Sequence, residues 1–224
     1  MSNFDQAEMV YSSDLIIDDP SSLLTAGVDE VGRGALFGPV VAAAVILPEK
    51  VLHDLANSGV TDSKKLTEKR RCHLASLIRT VAWDCQIGIA SVREIDRLNI
   101  LKASLLAMKR AVLRLKLRPD LVFVDGNQEI RDLFIPQRTI VKGDSKCLAI
   151  AAASIVAKVW RDTLIMRLAK KYPVYDLTKN KGYGTQKHKQ GIANYGVSPQ
   201  HRLSFSPCQP SLGEVRNSPP PFPF

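Results

Sequence analysis

The sequence predicts an α/β fold, a mixed central β-sheet flanked by α-helices. Three features lead there. Apolar runs of strand length alternate with turn residues early in the chain. An amphipathic stretch of helical period fills its middle. Two later apolar runs each end in a Gly-containing turn. With 224 residues, 45% of them hydrophobic, the chain has the material for one substantial core.

Residues 25–31, 40–47 and 81–90 read as strands, with Gly and Pro punctuation between the first two. From Ile95 the apolar residues Leu98, Leu101, Leu105, Met108, Val112 and Leu115 recur every three or four positions. Lys102, Lys109, Arg110 and Lys116 fall between them, which predicts an amphipathic helix with a basic outer face. Arg118-Pro119-Asp120 stops it, and residues 121–124 follow as a buried strand that runs into Asp125-Gly126-Asn127. Residues 139–141 form a second short strand ending at Gly143-Asp144, and an Ala-rich helix spans 146–171.

The body of the chain, residues 24–206, is expected to be one domain between two tails. Residues 1–23 form an acidic arm. Residues 207–224 form a Pro-rich tail holding six of the thirteen prolines, with no apolar periodicity to support a core. Net charge is +9. The first 24 residues contain five acids (Asp5, Glu8, Asp14, Asp18, Asp19) and no base, so the remainder sets 31 bases against 17 acids, or +14. That imbalance suits a polyanionic partner, although a basic protein without one is the plainer alternative. An acidic N-terminus is the reverse of a signal or transit peptide, and no apolar run approaches the roughly 20 residues needed to span a bilayer. Four cysteines without C-x-x-C spacing fit free thiols in a reducing, cytoplasmic setting. A monomer without membrane association is expected.

Asp29 and Glu30 are adjacent acids in an otherwise apolar strand, where ionised groups are costly unless paired or metal-bound. Strand neighbours point to opposite faces, so both serve one site only if the strand bends or Glu30 reaches round its end. A buried ion pair is the alternative. Asp125 and Asp144 each stand where an apolar strand runs out into a turn, the place where ligand groups gather in α/β sheets. Each alone would pass as a turn or cap residue. Four converging carboxylates would repel one another strongly, and a divalent cation relieves this; hard oxygen ligands point to Mg²⁺ or Mn²⁺. Asp162 is a fifth candidate, but Lys158 one turn earlier explains it as a helical ion pair. Gly32-Arg33-Gly34 can offer backbone N–H groups and a guanidinium to a phosphate. It fits neither nucleotide-binding glycine motif. Tyr183, with Lys181, Lys187, His188 and Lys189 around it, suits sugar and phosphate contacts, or is a solvated basic loop. Asp-Ser-Lys occurs at Asp62 to Lys64 and again at Asp144 to Lys146.

Taken in order, these segments resemble the type 2 ribonucleases H, ribonuclease HII. The resemblance is carried by Gly27-Val-Asp-Glu-Val-Gly-Arg-Gly34, Gly38-Pro-Val-Val-Ala-Ala-Ala44, Asp62-Ser-Lys-Lys-Leu66, Val124-Asp-Gly-Asn127 and Gly143-Asp-Ser-Lys146. Ile150-Ala-Ala-Ala-Ser-Ile155, Tyr183-Gly-Thr185 with His188, and His201-Arg202 complete it. It implies an RNase H-like fold with a C-terminal helical and loop extension, and an acidic metal site of Asp29, Glu30, Asp125 and Asp144. It also implies recognition of the RNA-to-DNA junction by Gly32, Arg33, Gly34 and Tyr183. The expected substrates are RNA–DNA hybrids and duplex DNA with embedded ribonucleotides, cut by metal-activated water under two divalent ions. Lys64, Lys146 and His188 are candidates for phosphate contact. Val31, Ala35 and Phe37 stand where smaller residues or Pro are more usual, and Phe37 is expected to reshape the loop beside the site. Cys147 stands where Ser is common.

Overall fold

A strand can be buried on both faces only if each face meets another layer, and Val40-Val-Ala-Ala-Ala-Val-Ile46 is buried throughout. In the structure, a computed structural model that describes residues 23–60, 63, 66 to 209, this strand lies second in one five-stranded sheet. Residues 1–22 of the expected acidic arm and 210–224 of the expected tail lie outside the described residues, as do Asp62 and Lys64. The strands are β1 (Thr25–Val31), β2 (Val40–Ile46), β3 (Asp84–Ala90), β4 (Leu121–Asp125) and β5 (Gln137–Ile140), in spatial order β3-β2-β1-β4-β5. β1, β2 and β3 pair antiparallel, while β4 is parallel to both β1 and β5, so the sheet is mixed as expected.

One face of the sheet carries α3 (Val92–Leu98) and α4 (Ile100–Leu113), whose Ala103, Ala107, Met108 and Ala111 pack on Val28, Ala42, Ala44, Val122 and Val124. The other face carries α1 (Leu52–Asn57), α2 (Glu68–Val81) and α5 (Leu148–Ala169), with the alanines of α5 against Ala43 and Val45. Small residues set how closely these layers approach. A Cβ on Gly27 would lie 2.2 Å from the Ala149 carbonyl carbon, and one on Gly88 would lie 2.0 Å from the Ala107 oxygen. Helix backbone therefore rests directly on strand backbone at both points.

The structure differs from the sequence reading in several elements. The helix expected from Ile95 is two helices, broken at Asn99 (φ 72°), whose side chain accepts from the Lys102 N–H and caps α4. Its sheet-facing residues are alanines, Met108 and Val112, while Leu101 and Leu113 are exposed, because the close approach at Gly88 admits small side chains. The third strand starts at Asp84, since Val81 closes α2, a helix capped by the Thr67 hydroxyl. The last strand is Gln137–Ile140, and the Ala-rich helix runs Leu148–Ala169. Beyond α5, α6 (Leu177–Asn180) and α7 (Gln186–Tyr195) form the C-terminal extension around Phe37, Tyr172 and Tyr175. Cys208, in a 3-10 turn (Ser206–Cys208), is buried in that same cluster. The four cysteines are free thiols, and no helix among the described residues is long and apolar enough to cross a membrane.

Both backbone approaches should be intolerant of a methyl group. Gly27→Ala and Gly88→Ala should each lower unfolding free energy by about 1–3 kcal/mol in urea titrations, the usual cost of overpacking. Gly34→Ala, with nothing within 4 Å of the added carbon, should change it by less than about 0.5 kcal/mol.

Candidate active site

The parallel pairing of β1 with β4 ends at Val28 and Val124, while β1 continues to Val31 along β2 alone. One residue beyond the last pair, Asp29 and Asp125 stand side by side on the face that α5 covers. Glu30 belongs by parity to the opposite face. With no strand on the β4 side of β1 there, its carboxylate reaches round the open edge. Asp29, Glu30 and Asp125 each offer a carboxylate oxygen within 4.8 Å of the others.

The surroundings of this group are poor in compensating charge. Asp29 is 5% exposed; it accepts the Glu30 N–H at 2.6 Å and a hydrogen bond from the Ser154 hydroxyl. Its carboxyl is held well above the usual range by burial first, then by the charges of Glu30 and Asp125. Glu30 is also raised by burial, an effect opposed by Arg33, whose Nη1 donates at 3.1 Å. Asp125 is fixed from β5's end, where the Gly143 N–H donates to Oδ1 at 2.7 Å. At 4.8 Å two unit charges repel by roughly 3 kcal/mol at an effective dielectric constant of about 20. Three hard oxygen donors in mutual repulsion, with no nitrogen or sulfur ligand among them, form a set that fits an oxophilic divalent cation.

Of the four acids expected to converge, these are three. Asp144 follows Gly143 in a short 3-10 turn (Gly143–Ser145), half-buried at the site's margin, and its carboxylate is not part of the converging group. Lys146, exposed, ends that turn. Asp162 accepts from Lys158 at 2.9 Å, the helical ion pair expected for it. The serine of the first Asp-Ser-Lys segment is nonetheless informative. Ser63 Oγ lies 3.0 Å from Ser154 Oγ, so this serine touches the residue that touches Asp29. From sequence, Ser154 entered within the segment Ile150 to Ile155 that carries the family resemblance, not as a site residue. A hydroxyl in an otherwise apolar Ala-rich run was the available signal.

Gly32-Arg33-Gly34 leaves β1 directly after the acids. Gly32 has φ 93°, and a Cβ there would lie 2.2 Å from Arg161 Nε, so both conformation and space demand glycine. Arg161 and Arg202 are fully buried and make no ion pair among the described residues. Arg161 donates to the carbonyls of Pro39, Phe37 and Lys181, and Arg202 to those of Gly38 and Arg33. Burial, followed by the charge of Arg161, pushes Arg202 down to about 9. Two buried cations beneath this loop give it a positive potential suited to phosphate. Arg161 was not singled out from sequence, because a lone Arg in a helix reads as solvated, and Arg202 entered only with His201 as part of the family resemblance.

The C-terminal extension returns Tyr183 to this place. Ala35 and Tyr183 form an antiparallel bridge, and the Leu36 and Phe37 N–H groups both donate to the Gly182 carbonyl. Lys158 Nζ and the Arg161 guanidinium stand 5.7 and 5.6 Å from the Tyr183 ring centroid. The structure thus brings Gly32, Arg33, Gly34 and Tyr183 together, next to the acids. His188 corrects an expectation. Its ring is 0% exposed and both nitrogens are engaged, by the Tyr183 carbonyl and by His201, so it is not presented to a phosphate. Thr185 caps α7 and turns His188 inward. Phe37 is likewise buried, stacked edge-on against His201 and Tyr172.

The family model described as Ribonuclease HII matches residues 26–208. A ribonuclease HII of Trichodesmium erythraeum (strain IMS101) is 91% identical over 210 residues, covering 94% of this chain and all of that one. One from Nostoc sp. is 62% identical over 186 residues, covering 83% of each. Among solved structures, the ribonuclease H2 of Pyrococcus horikoshii OT3 superposes with a TM-score of 0.70 at 28% identity, over 82% of this chain and 94% of that one.

Repulsion within the acidic group should be measurable in the absence of metal. In excess chelator, Asp125→Asn should be more stable than the natural protein by about 1–3 kcal/mol, a few degrees in Tm, because it removes one charge and keeps an acceptor for Gly143. Millimolar Mg²⁺ or Mn²⁺ should raise the Tm of the natural protein and leave that of Asp125→Asn nearly unchanged.

Proposed function

The chain belongs to the ribonuclease HII family and is a ribonuclease H, an endonuclease acting on RNA–DNA hybrids, and from that membership we propose a fuller reading of its site. The enzyme hydrolyses the RNA strand of hybrids and also incises duplex DNA on the 5′ side of a single embedded ribonucleotide, leaving 5′-phosphate and 3′-hydroxyl ends. Its role is ribonucleotide removal and RNA primer clearance, performed as a cytoplasmic monomer. The observation that carries the reading is the convergence of Asp29, Glu30 and Asp125 at the open edge of β1, beside a glycine loop and a tyrosine.

Asp29, Glu30 and Asp125, with Asp144 as a fourth carboxylate at the margin, would hold two Mg²⁺ or Mn²⁺ ions, which would supply a lowered water pKa and a counter-charge for the leaving 3′-oxygen. The protein's own groups do the rest. Ser154 and the Gly143 N–H hold the carboxylates in place. Arg33, Lys64 and Lys146 meet phosphates, and the excess of bases over acids in the chain draws the polyanion in. Gly32 and Gly34 let backbone approach a ribose closely. Tyr183 offers a ring to stack on the sugar and a hydroxyl, the means by which a lone 2′-hydroxyl is read. The cations that flank its ring restrict its movement.

The test compares cleavage of DNA duplexes bearing zero, one or many consecutive ribonucleotides, with divalent metal and with chelator. Cutting of the second and third substrates, none of the first, and none in chelator is expected. Tyr183→Ala should depress cutting at a lone ribonucleotide more than cutting of a long hybrid. Asp144→Asn should lower the rate by orders of magnitude and Asp162→Asn far less. Inertness on the single-ribonucleotide duplex would leave a general hybrid nuclease, and the reverse order of the two Asn variants would remove Asp144 from the site.

A further inference from the structure

His188 and His201 are the buried titratable groups that the reading above does not use. Their rings lie in the C-terminal extension with Nε2 atoms 3.0 Å apart. The protonation of the pair follows from its ends. The Ser198 backbone N–H, which can only donate, and the Ser198 hydroxyl, which can donate as well, both lie 2.9 Å from His201 Nδ1, so the backbone donor makes that nitrogen an acceptor that carries no proton. The proton of neutral His201 is then on Nε2 and is donated to His188 Nε2. His188 in turn carries its proton on Nδ1 and donates it to the Tyr183 carbonyl at 2.9 Å, a group that can only accept. A second proton on either ring would set two donors face to face, at Nε2 of the pair or at Ser198.

We propose that His188 and His201 are positioning residues for ribonucleotide discrimination: a neutral relay of two imidazoles, running from Ser198 to the Tyr183 carbonyl, fixes Tyr183 against the glycine loop. The inference rests on the assignment of Tyr183 given above. Its geometry is specific to that task. Residues 36–38 are the shared partner of two segments, since the Leu36 N–H donates to the Gly182 carbonyl and the Gly38 N–H to the Gln200 carbonyl, with Phe37 bridged to His201. The relay closes the triangle by joining the second segment to the first. Phe37, the unusual residue of this loop, covers it, with its ring edge-on to His201 at 5.1 Å, and Tyr175 packs at 4.6 Å on the other ring contact. That enclosure keeps water away and both rings neutral. Burial lowers His188 and pushes His201 to about 3, while Asp176 is the acid that opposes this at His188. An apolar pair would fill the same space without desolvating four nitrogens, so what the relay adds is one defined geometry. Deleting it leaves the Tyr183 carbonyl its Thr185 N–H bond and leaves Arg161 on Lys181 and Phe37, so the extension keeps other anchors.

The experiment pairs His201→Leu, which fills the space without donating, with His201→Gln, which can still donate to His188 Nε2. Both are compared with Tyr183→Ala on a duplex with one ribonucleotide and on a long hybrid. His201→Leu should lower kcat on the single-ribonucleotide duplex about tenfold with the long hybrid within about twofold, as expected of a sub-ångström misplacement. His201→Gln should recover most of the loss. Equal losses on both substrates, with Tyr183→Ala selective, would overturn the relay's role alone. An unselective Tyr183→Ala would overturn the assignment of Tyr183 and the relay with it. Imidazole ¹⁵N NMR of the natural protein at pH 6 decides the matter independently of any variant's folding: neutral rings protonated at His188 Nδ1 and His201 Nε2 are expected, and a charged ring or the opposite tautomer would contradict the inference.

Discussion

Three carboxylates converge in this protein because one strand outruns its parallel neighbour. β1 keeps its pairing with β2 to Val31 but loses β4 after Val28, and the open edge so created is where Asp29, Glu30 and Asp125 meet. A strand paired on both sides would hold Asp29 and Glu30 on opposite faces of the sheet, divided by backbone. The repulsion stored at that edge is the constraint to which the surrounding structure answers. Burial first, and with it that repulsion, raises the carboxyls of Asp29 and Glu30 and makes the site a standing demand for positive charge.

The layers around the edge are arranged by small residues. Gly27 lets the first turn of α5 lie on β1, which sets Ser154, one further turn along, against Asp29. Ser63 then meets Ser154, hydroxyl to hydroxyl. On the other side of the glycine loop, the hydrogen bonds of Arg161 and Arg202 run to backbone carbonyls, and neither makes an ion pair among the described residues. Acids and buried cations thus lie on either side of Gly32-Arg33-Gly34. Tyr183, bridged to Ala35, stands at the join.

Much of this was legible from sequence, for physical reasons that differ by residue. Asp29, Glu30 and Asp125 stood out because ionised groups in apolar strands need an explanation, and strand ends are where such groups gather. The mixed sheet followed from apolar runs and Gly or Pro punctuation. The break at Asn99 did not show, because the apolar period runs through it and only the left-handed backbone reveals the cap. The face of α4 was misread for a related reason: leucines mark the hydrophobic stripe, but contact with Gly88 selects alanine at the point of closest approach. His188 was placed on the surface by its lysine neighbours, whereas the Thr185 cap rotates it into the core. The burial of Arg161 and Arg202 did not show because their hydrogen-bond partners are backbone carbonyls, which no side-chain pattern records.

The central claim is that the open edge of β1 is a cation site built by Asp29, Glu30 and Asp125 together. Anomalous diffraction from crystals of the protein grown with Mn²⁺ tests it most directly. The account predicts an anomalous peak within coordination distance, about 2.0–2.3 Å, of carboxylate oxygens from all three residues. A peak lying elsewhere, at Asp162 for example, with these three carboxylates unbound, would contradict it.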